Sequence, residues 1–121
     1  MDSVEGMTTV DEFFDGYRDA LMARDEGRVA GLYAVPGLIL FPGQPIAVSD
    51  ERQTQQFFAS AWAQYEGVTD TRTDVRVVAE SPGSVWADVT WHHVGAPAER
   101  LMYQLVDTED GWKIAVLTPL A

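Results

Sequence analysis

The stretch Ser84–Val94, SVWADVTWHHV, decides the predicted fold. Successive side chains of a strand point to opposite faces, so these residues divide into two sets. One face carries Val85, Ala87, Val89, Trp91 and His93. The other face carries Trp86, Asp88, Thr90 and His92. Because tryptophan on both faces is unusual for a strand with a bare solvent side, we predict a central strand of a curved sheet with helices on one face.

The residues after Val68 keep the same period of two, which is typical of strands. Turn signals separate them at Pro82-Gly83, Gly95-Ala96-Pro97 and Asp110-Gly111. The pattern predicts four strands, over about 69–80, 84–94, 99–107 and 112–118. Connections this short make neighbouring strands antiparallel, so the C-terminal half is predicted to be a meander.

The N-terminal residues carry a helical pattern instead. Thr9 and Glu12 are spaced as a capping box, and apolar residues then recur at intervals of three and four to about Arg24. Asp25 can cap a second, short helix over 27–34. We expect these two helices to meet at a corner.

A hairpin and a third helix complete the pattern before the meander. A short apolar strand over 38–41 turns at Pro-Gly into a partner over 44–48. Ser49 or Asp50 then caps a helix that runs to about Glu66 and carries a broad aromatic face. The sequence therefore predicts an α+β domain.

The chain of 121 residues, 46% hydrophobic and 22% charged, fits one ordered domain over 9–121 after a flexible tail over 1–8. Apolar runs fall short of the roughly 20 residues that a membrane span needs, and the N-terminus lacks signal-peptide features. We therefore expect a cytoplasmic protein. The absence of cysteine excludes disulfides, thiolate ligands and a cysteine nucleophile.

The net charge of −11 disfavours nucleic acid and anionic membranes as partners, because like charges would have to meet. We expect no cofactor, since no phosphate-binding loop or dinucleotide fingerprint occurs. We also expect no metal site. The adjacent His92 and His93 point to opposite faces of a strand and cannot bind one ion together.

The order of elements resembles that of the nuclear-transport-factor-2-like (NTF2-like) superfamily, which includes SnoaL-like and ketosteroid-isomerase-like proteins. The resemblance covers about residues 9–120. Its carriers are ALMARDEGRVAGLYA…LILFPG, QQFFASAW, ADVTWHHVG and GWKIAVLTP. It implies a cystatin-like α+β cone, with three helices from the N-terminal half packed on a strongly curved, mostly antiparallel sheet of about six strands.

The resemblance also implies a hydrophobic pocket between the first helix, the third helix and the sheet. On this chain its lining would be Phe14, Tyr17, Phe41, Phe57, Trp62, Val89, Trp91, His93, Tyr103 and Thr118. In the ketosteroid-isomerase pattern, Tyr17 matches a donor tyrosine, Tyr103 lies at the second donor position, and Phe41 replaces the proton-transfer base. Steroid-isomerase chemistry by that route is therefore not expected.

Three residues are candidates for chemistry. Tyr17 and Tyr103 could present hydroxyl donors to a ligand oxygen; the alternative is two core tyrosines bonded to backbone or water. His93 shares the face of Trp91 and could act as a general base, since imidazole ionises near neutral pH. The alternative is a histidine at the pocket rim, bonded to a neighbour.

The other face of the same strand predicts an interface. Asp88 could be catalytic, but pairing with Arg76 or Arg100 across strands is favoured. Trp86 leaves an apolar sheet exterior, which predicts a homodimer through that face. Two functions stay open: a SnoaL-like protein that binds or transforms a small hydrophobic, polycyclic or aromatic ligand, and a dimeric assembly module whose pocket is vestigial.

Overall fold

The C-terminal half forms the predicted meander. Its strands are β3 (Asp70–Ser81), β4 (Ser84–Val94), β5 (Glu99–Thr108) and β6 (Gly111–Pro119). The computed structural model describes residues 9–120, so the predicted tail over 1–8 lies outside this range. β4 pairs antiparallel with β3 on one side and with β5 on the other, which makes it an interior strand as predicted.

The N-terminal hairpin joins the same sheet. β1 (Tyr33–Phe41) pairs antiparallel with β2 (Gln44–Val48) and parallel with β6, giving the order β2-β1-β6-β5-β4-β3. The sheet therefore has six strands and one parallel pair. The predicted fold class, three helices on a mostly antiparallel curved sheet, is confirmed.

The second helix is shorter than predicted. α2 spans Glu26–Ala30, capped by Asp25, and the predicted helix over 27–34 is wrong at its C-terminal end. The reason is competition from the sheet: the Leu32 carbonyl accepts from the Ile114 amide, and Tyr33 pairs with Ile114 of β6. Tyr33 is thereby a strand residue that points into the core.

The first and third helices follow their caps. α1 (Val10–Met22) begins with the predicted capping box of Thr9 and Glu12. α3 (Glu51–Ala61) has a second capping box, formed by Asp50 and Gln53. The helical segment continues to Tyr65, but as a 3-10 helix (Trp62–Tyr65) that carries the last two aromatic side chains of the segment.

The core lies between the helices and the concave face of the sheet. Helix residues Phe13, Phe14, Tyr17 and Phe58 pack there with the inward side chains of β4, β5 and β6. The predicted inward set of β4 is buried from Val85 to Trp91. Burial of this much aromatic and aliphatic area is the main source of stability.

Candidate functional site

A cavity of about 70 Å³ lies between α1, the 3-10 helix and the concave face of the sheet. Its wall is mostly aromatic and aliphatic. The lining side chains are Tyr17, Leu21, Met22, Arg24, Phe41, Phe58, Trp62, Tyr65, Val68, Thr71, Trp91, His93, Glu99, Leu101, Tyr103 and Leu117. We call this space the inner cavity.

Six of the ten residues predicted to line the pocket lie on this wall: Tyr17, Phe41, Trp62, Trp91, His93 and Tyr103. Phe14 and Val89 do not, because both are fully buried in the core beside it. Phe57 lies behind Phe41, with ring centroids 5.5 Å apart. Their packing leaves these three side chains no contact with the cavity.

Thr118 does not line the cavity either. It pairs with Met102, whereas its neighbour Leu117 pairs with the buried Tyr103 and lines the wall. A register shift between Gln104 and Leu105 reverses the alternation along β6, so Ile114 and Leu117 both point inward. The prediction for Thr118 is therefore wrong by one residue.

One end of the cavity is a network of bonded tyrosines. The Tyr17 and Tyr33 hydroxyls share a hydrogen bond of 2.5 Å, and the Trp91 indole donates to the Tyr103 hydroxyl over 3.0 Å. Burial raises the pKa values of Tyr17, Tyr33 and Tyr103 well above the ordinary value, so all three are neutral donors and acceptors. Tyr17 and Tyr103 are adjacent, with ring centroids 6.0 Å apart.

The other end holds a histidine and a carboxylate. His93 Nε2 lies 2.8 Å from Glu99 Oε1, and the Tyr65 hydroxyl donates to the two Glu99 oxygens over 2.8 and 3.0 Å. The His93 side chain is only 7% exposed, and its Nδ1 is buried without a partner among residues 9–120. Burial raises the pKa of Tyr65, which keeps its hydroxyl protonated as the donor to Glu99.

Two features hold this histidine end in place. The Arg24 guanidinium donates to the carbonyls of Leu21, Tyr65 and Val68, which ties the end of α1 to the 3-10 helix. Gly95, which comes directly after β4, has a φ of +96° and packs against Gly67. A Cβ at Gly95 would clash with the Gly67 carbonyl. The strand end that carries His93 is therefore fixed against the helix that carries Tyr65.

A second, more open depression of about 340 Å³ lies at the end of β6. We call it the outer cleft. Its lining is Phe41, Thr90, Ala98, Glu99, Arg100, Leu101, Pro119 and Leu120. Phe41, Glu99 and Leu101 line both spaces, so these three side chains form the partition between them.

Sequence reasoning missed Glu99, Tyr65 and Tyr33 as site residues. The signal for Glu99 is its place at the start of β5, opposite Trp91 in the hairpin and six residues after His93. Tyr33 gave no signal, because the sequence pattern assigned it to a helix. Within 9–120 no cluster of histidine and carboxylate side chains has the geometry of a metal site.

The convex face of the sheet carries ion pairs. Arg100 makes two-pronged contacts with the buried Asp88, down to 2.6 Å, which confirms the predicted arginine pairing. That hydrogen bonding holds the pKa of Asp88 below its ordinary value. His92 lies on this face too, 2.7 Å from the exposed Asp74.

Fold and cavity together define an α+β protein whose single curved sheet encloses a small aromatic chamber. A family model described as an NTF2-like protein (DUF6841) matches residues 5–121, and the chain belongs to this NTF2-like family. The predicted membership is confirmed. No curated protein gives a significant match.

Solved structures agree on the fold. A domain of unknown function with a cystatin-like fold from Nostoc punctiforme matches with 13% identity and a TM-score of 0.75, over 98% of this chain and 78% of that one. An NTF2-like protein of unknown function from Shewanella oneidensis matches with 11% identity and a TM-score of 0.74, over 91% and 94%. A ketosteroid isomerase-like protein from Erwinia carotovora matches with 20% identity and a TM-score of 0.69, over 97% and 98%.

Identities this low show a shared fold and leave activity open. Across the described residues, no helix combines the length and apolar character that crossing a bilayer requires.

Proposed function

We propose that the protein binds a small, mostly apolar molecule in the inner cavity. The observation that supports this best is the wall itself, which combines aromatic and aliphatic side chains with a few polar groups, as ligand sites do. On this proposal His93 is the reactive or polar contact, while Tyr17 and Tyr103, bonded within the protein, shape the far end.

The volume limits the ligand. At about 70 Å³ the inner cavity is smaller than the roughly 300–1,000 Å³ of pockets for drug-sized molecules, and smaller than an apolar cavity of about 150 Å³ that holds benzene. We therefore favour a single-ring ligand over the polycyclic one considered from the sequence. Even a single ring needs more room than the closed cavity gives. On this proposal the ring enters by displacing the Phe41 side chain, which joins the cavity to the outer cleft.

The first test is an NMR titration of the protein with toluene, in which the amide and methyl resonances of the protein are monitored. The expected result is saturable shifts at Tyr17, Trp91 and Leu117, which line the cavity. Phe41→Ala should tighten toluene binding and extend it to naphthalene, because the partition is opened. Phe57→Ala is the matched control: its ring packs on Phe41 but lines neither space, so it should leave the ligand range unchanged. No saturable shift in wild type or in Phe41→Ala would contradict the proposal.

The convex sheet face supports a second candidate, a homodimeric assembly module. Trp86, Met102 and Val116 lie partly exposed on this face, and Leu38 of β1 is 43% exposed beside them. An apolar strip flanked by the Asp88–Arg100 pair has the composition of an interface. Sedimentation should then show a dimer that Trp86→Glu dissociates; a wild-type monomer at micromolar concentration would exclude this candidate.

The proposed setting is the cytoplasm, with neither nucleic acid nor membrane as a partner. The net charge of −11 supports this part of the proposal, since both surfaces are anionic. Binding to duplex DNA or to anionic vesicles at physiological salt would contradict it.

A further inference from the structure

The polar groups on the inner cavity differ in whether their hydrogen-bonding capacity is used. Tyr17 and Tyr103 have partners in Tyr33 and Trp91, and the Thr71 hydroxyl donates to the His92 carbonyl. Arg24 is committed to three backbone carbonyls. Each of these wall groups therefore already has a hydrogen-bond partner within the protein.

His93 is the exception. Among residues 9–120 the buried side-chain atoms without a partner are Thr54 Oγ1 and His93 Nδ1, and Thr54 does not line the cavity. A buried polar atom without a partner costs free energy, so a molecule that satisfies it gains affinity. His93 Nδ1 is therefore the one atom, among the cavity-lining residues that the structure describes, that is polar, buried and without a partner.

The partner of the other ring nitrogen fixes what a ligand group at Nδ1 must be. Glu99 accepts from the Tyr65 hydroxyl and lies 2.8 Å from His93 Nε2. A carboxylate can only accept, so Nε2 carries the proton and donates. In the neutral ring, Nδ1 is then a lone-pair acceptor.

We infer that the ligand of the inner cavity is a hydrogen-bond donor, a phenol-like hydroxyl or a ring N–H compound, whose donor group is received by His93 Nδ1 while Glu99 and Tyr65 position the imidazole. This inference rests on the proposed function and narrows it. It reverses the polarity suggested by the ketosteroid-isomerase-like pattern, in which wall hydroxyls donate to a ligand carbonyl. With its Nδ1 lone pair facing the hydroxyl, His93 is also placed to accept the ligand proton.

Three ligands of similar size test, in the wild-type protein, whether the cavity prefers a hydrogen-bond donor, a hydrogen-bond acceptor or neither. Phenol brings a donor, toluene brings none, and benzaldehyde brings an acceptor. Calorimetric titration of the full chain with each gives the phenol-to-toluene affinity ratio. Nitrogen-15 spectra of the imidazole should show an unprotonated Nδ1 in the free protein, and its resonance should move upfield with phenol but not with toluene.

His93→Gln is the matching variant, because the glutamine amide can still donate to Glu99 but no longer offers a lone pair at the place of Nδ1. The phenol-to-toluene ratio should fall about tenfold, the scale of one neutral hydrogen bond. His92→Gln is the control, since His92 faces the opposite side of β4 and contacts Asp74. It should leave the ratio unchanged.

Each other outcome has a separate meaning. If phenol and toluene both bind but His93→Gln does not change their ratio, the inference fails and the proposed function stands. A protonated Nδ1 in the free protein, or a preference for benzaldehyde that Tyr103→Phe abolishes, also overturns the inference. If none of the three ligands binds wild type or Phe41→Ala, the proposed function itself fails.

Discussion

The two faces of β4 are held by different chemistry. On the concave face, Trp91 bonds Tyr103, and the neighbouring tyrosines are neutral because burial raises their pKa values. On the convex face, Asp88 is paired with Arg100, whose hydrogen bonds lower the pKa of the carboxyl. The concave face of β4 therefore loses stabilising contacts when its tyrosine hydroxyls ionise. The convex face loses them when its carboxylate is protonated.

The largest expected effect of this difference is a loss of stability in alkali. Tyr17, Tyr33 and Tyr103 have folded-state pKa values above the ordinary value of about 10. As the pH rises past about 10, the unfolded chain releases these protons first, so the free energy of unfolding falls by about 1.4 kcal/mol per pH unit for each tyrosine. Urea titrations between pH 7 and 11 measure this; a flat curve would mean that the hydroxyls ionise freely in the folded state.

Truncation of the concave core is the next largest effect. Phe14 is fully buried, and its ring centroid lies 5.0 Å from that of Tyr103. Phe14→Ala should lower the free energy of unfolding by about 3–5 kcal/mol, as for other buried aromatic truncations. Phe57→Ala should cost clearly less because Phe57 is partly exposed. Equal costs in urea denaturation would contradict the distinction between core and periphery.

Removing a single hydroxyl tests the bonded tyrosines directly. Tyr17→Phe leaves the Tyr33 hydroxyl buried without that partner and should cost about 1–3 kcal/mol. The double variant with Tyr33→Phe should cost less than the sum of the two, since no orphaned group remains from that bond. An additive double-mutant cycle would show that the two hydroxyls do not interact.

The convex face gives the smallest expected effect. Its contribution to stability is lost as the pH falls, whereas that of the buried tyrosines is lost as the pH rises. Asp88→Asn should lower the free energy of unfolding by about 1 kcal/mol at pH 7. Because the folded-state pKa of Asp88 is lowered, its contribution is present above about pH 4 and disappears as the pH falls through the folded value. Wild type and variant should therefore converge in acid.

Asp74→Asn is the matched control for that prediction. Its carboxylate, bonded to Arg72 and His92, is 60% exposed, so solvent screens both contacts. The His92 hydrogen bond lowers the pKa of Asp74, but because solvent screens the contacts we expect a smaller loss of stability than for Asp88→Asn. A loss equal to that of Asp88→Asn would mean that burial does not separate the two pairs.

What could be predicted from the sequence depends on how local the signal is. The faces of β4 follow from alternation alone, and the cap of α1 follows from residues three apart. For α3 the sequence offers Ser49 or Asp50, and the structure selects Asp50. The resemblance places Thr118 on the pocket wall, but Thr118 lies on the other face of β6 because the register shift between β5 and β6 is set by pairing between strands. Tyr33 lies in a strand and not in the predicted helix, because the amide of Ile114, about 80 residues away, donates to the neighbouring Leu32 carbonyl.

The site was predictable in composition and not in polarity. Tyr17, Trp91, His93 and Tyr103 were expected on one wall and are found there. Which of these side chains keeps a polar atom without a hydrogen-bond partner depends on Tyr33 and Glu99. Strands β1 and β5 bring these two residues to the site. The sequence therefore predicts several residues of the cavity wall. Only the hydrogen bonds in the structure distinguish the paired hydroxyls of Tyr17 and Tyr103 from the unpaired His93 Nδ1.

β6 lies between β1 and β5, and it is the strand that joins the hairpin to the meander. Before residues 111–119 are synthesised, the β1–β2 hairpin and the strands β3 to β5 have no strand to join them. The parallel pair with β1 then closes a loop of about 80 residues, which is slow by its entropy. The complete sheet can therefore form only after the C-terminal strand has been synthesised.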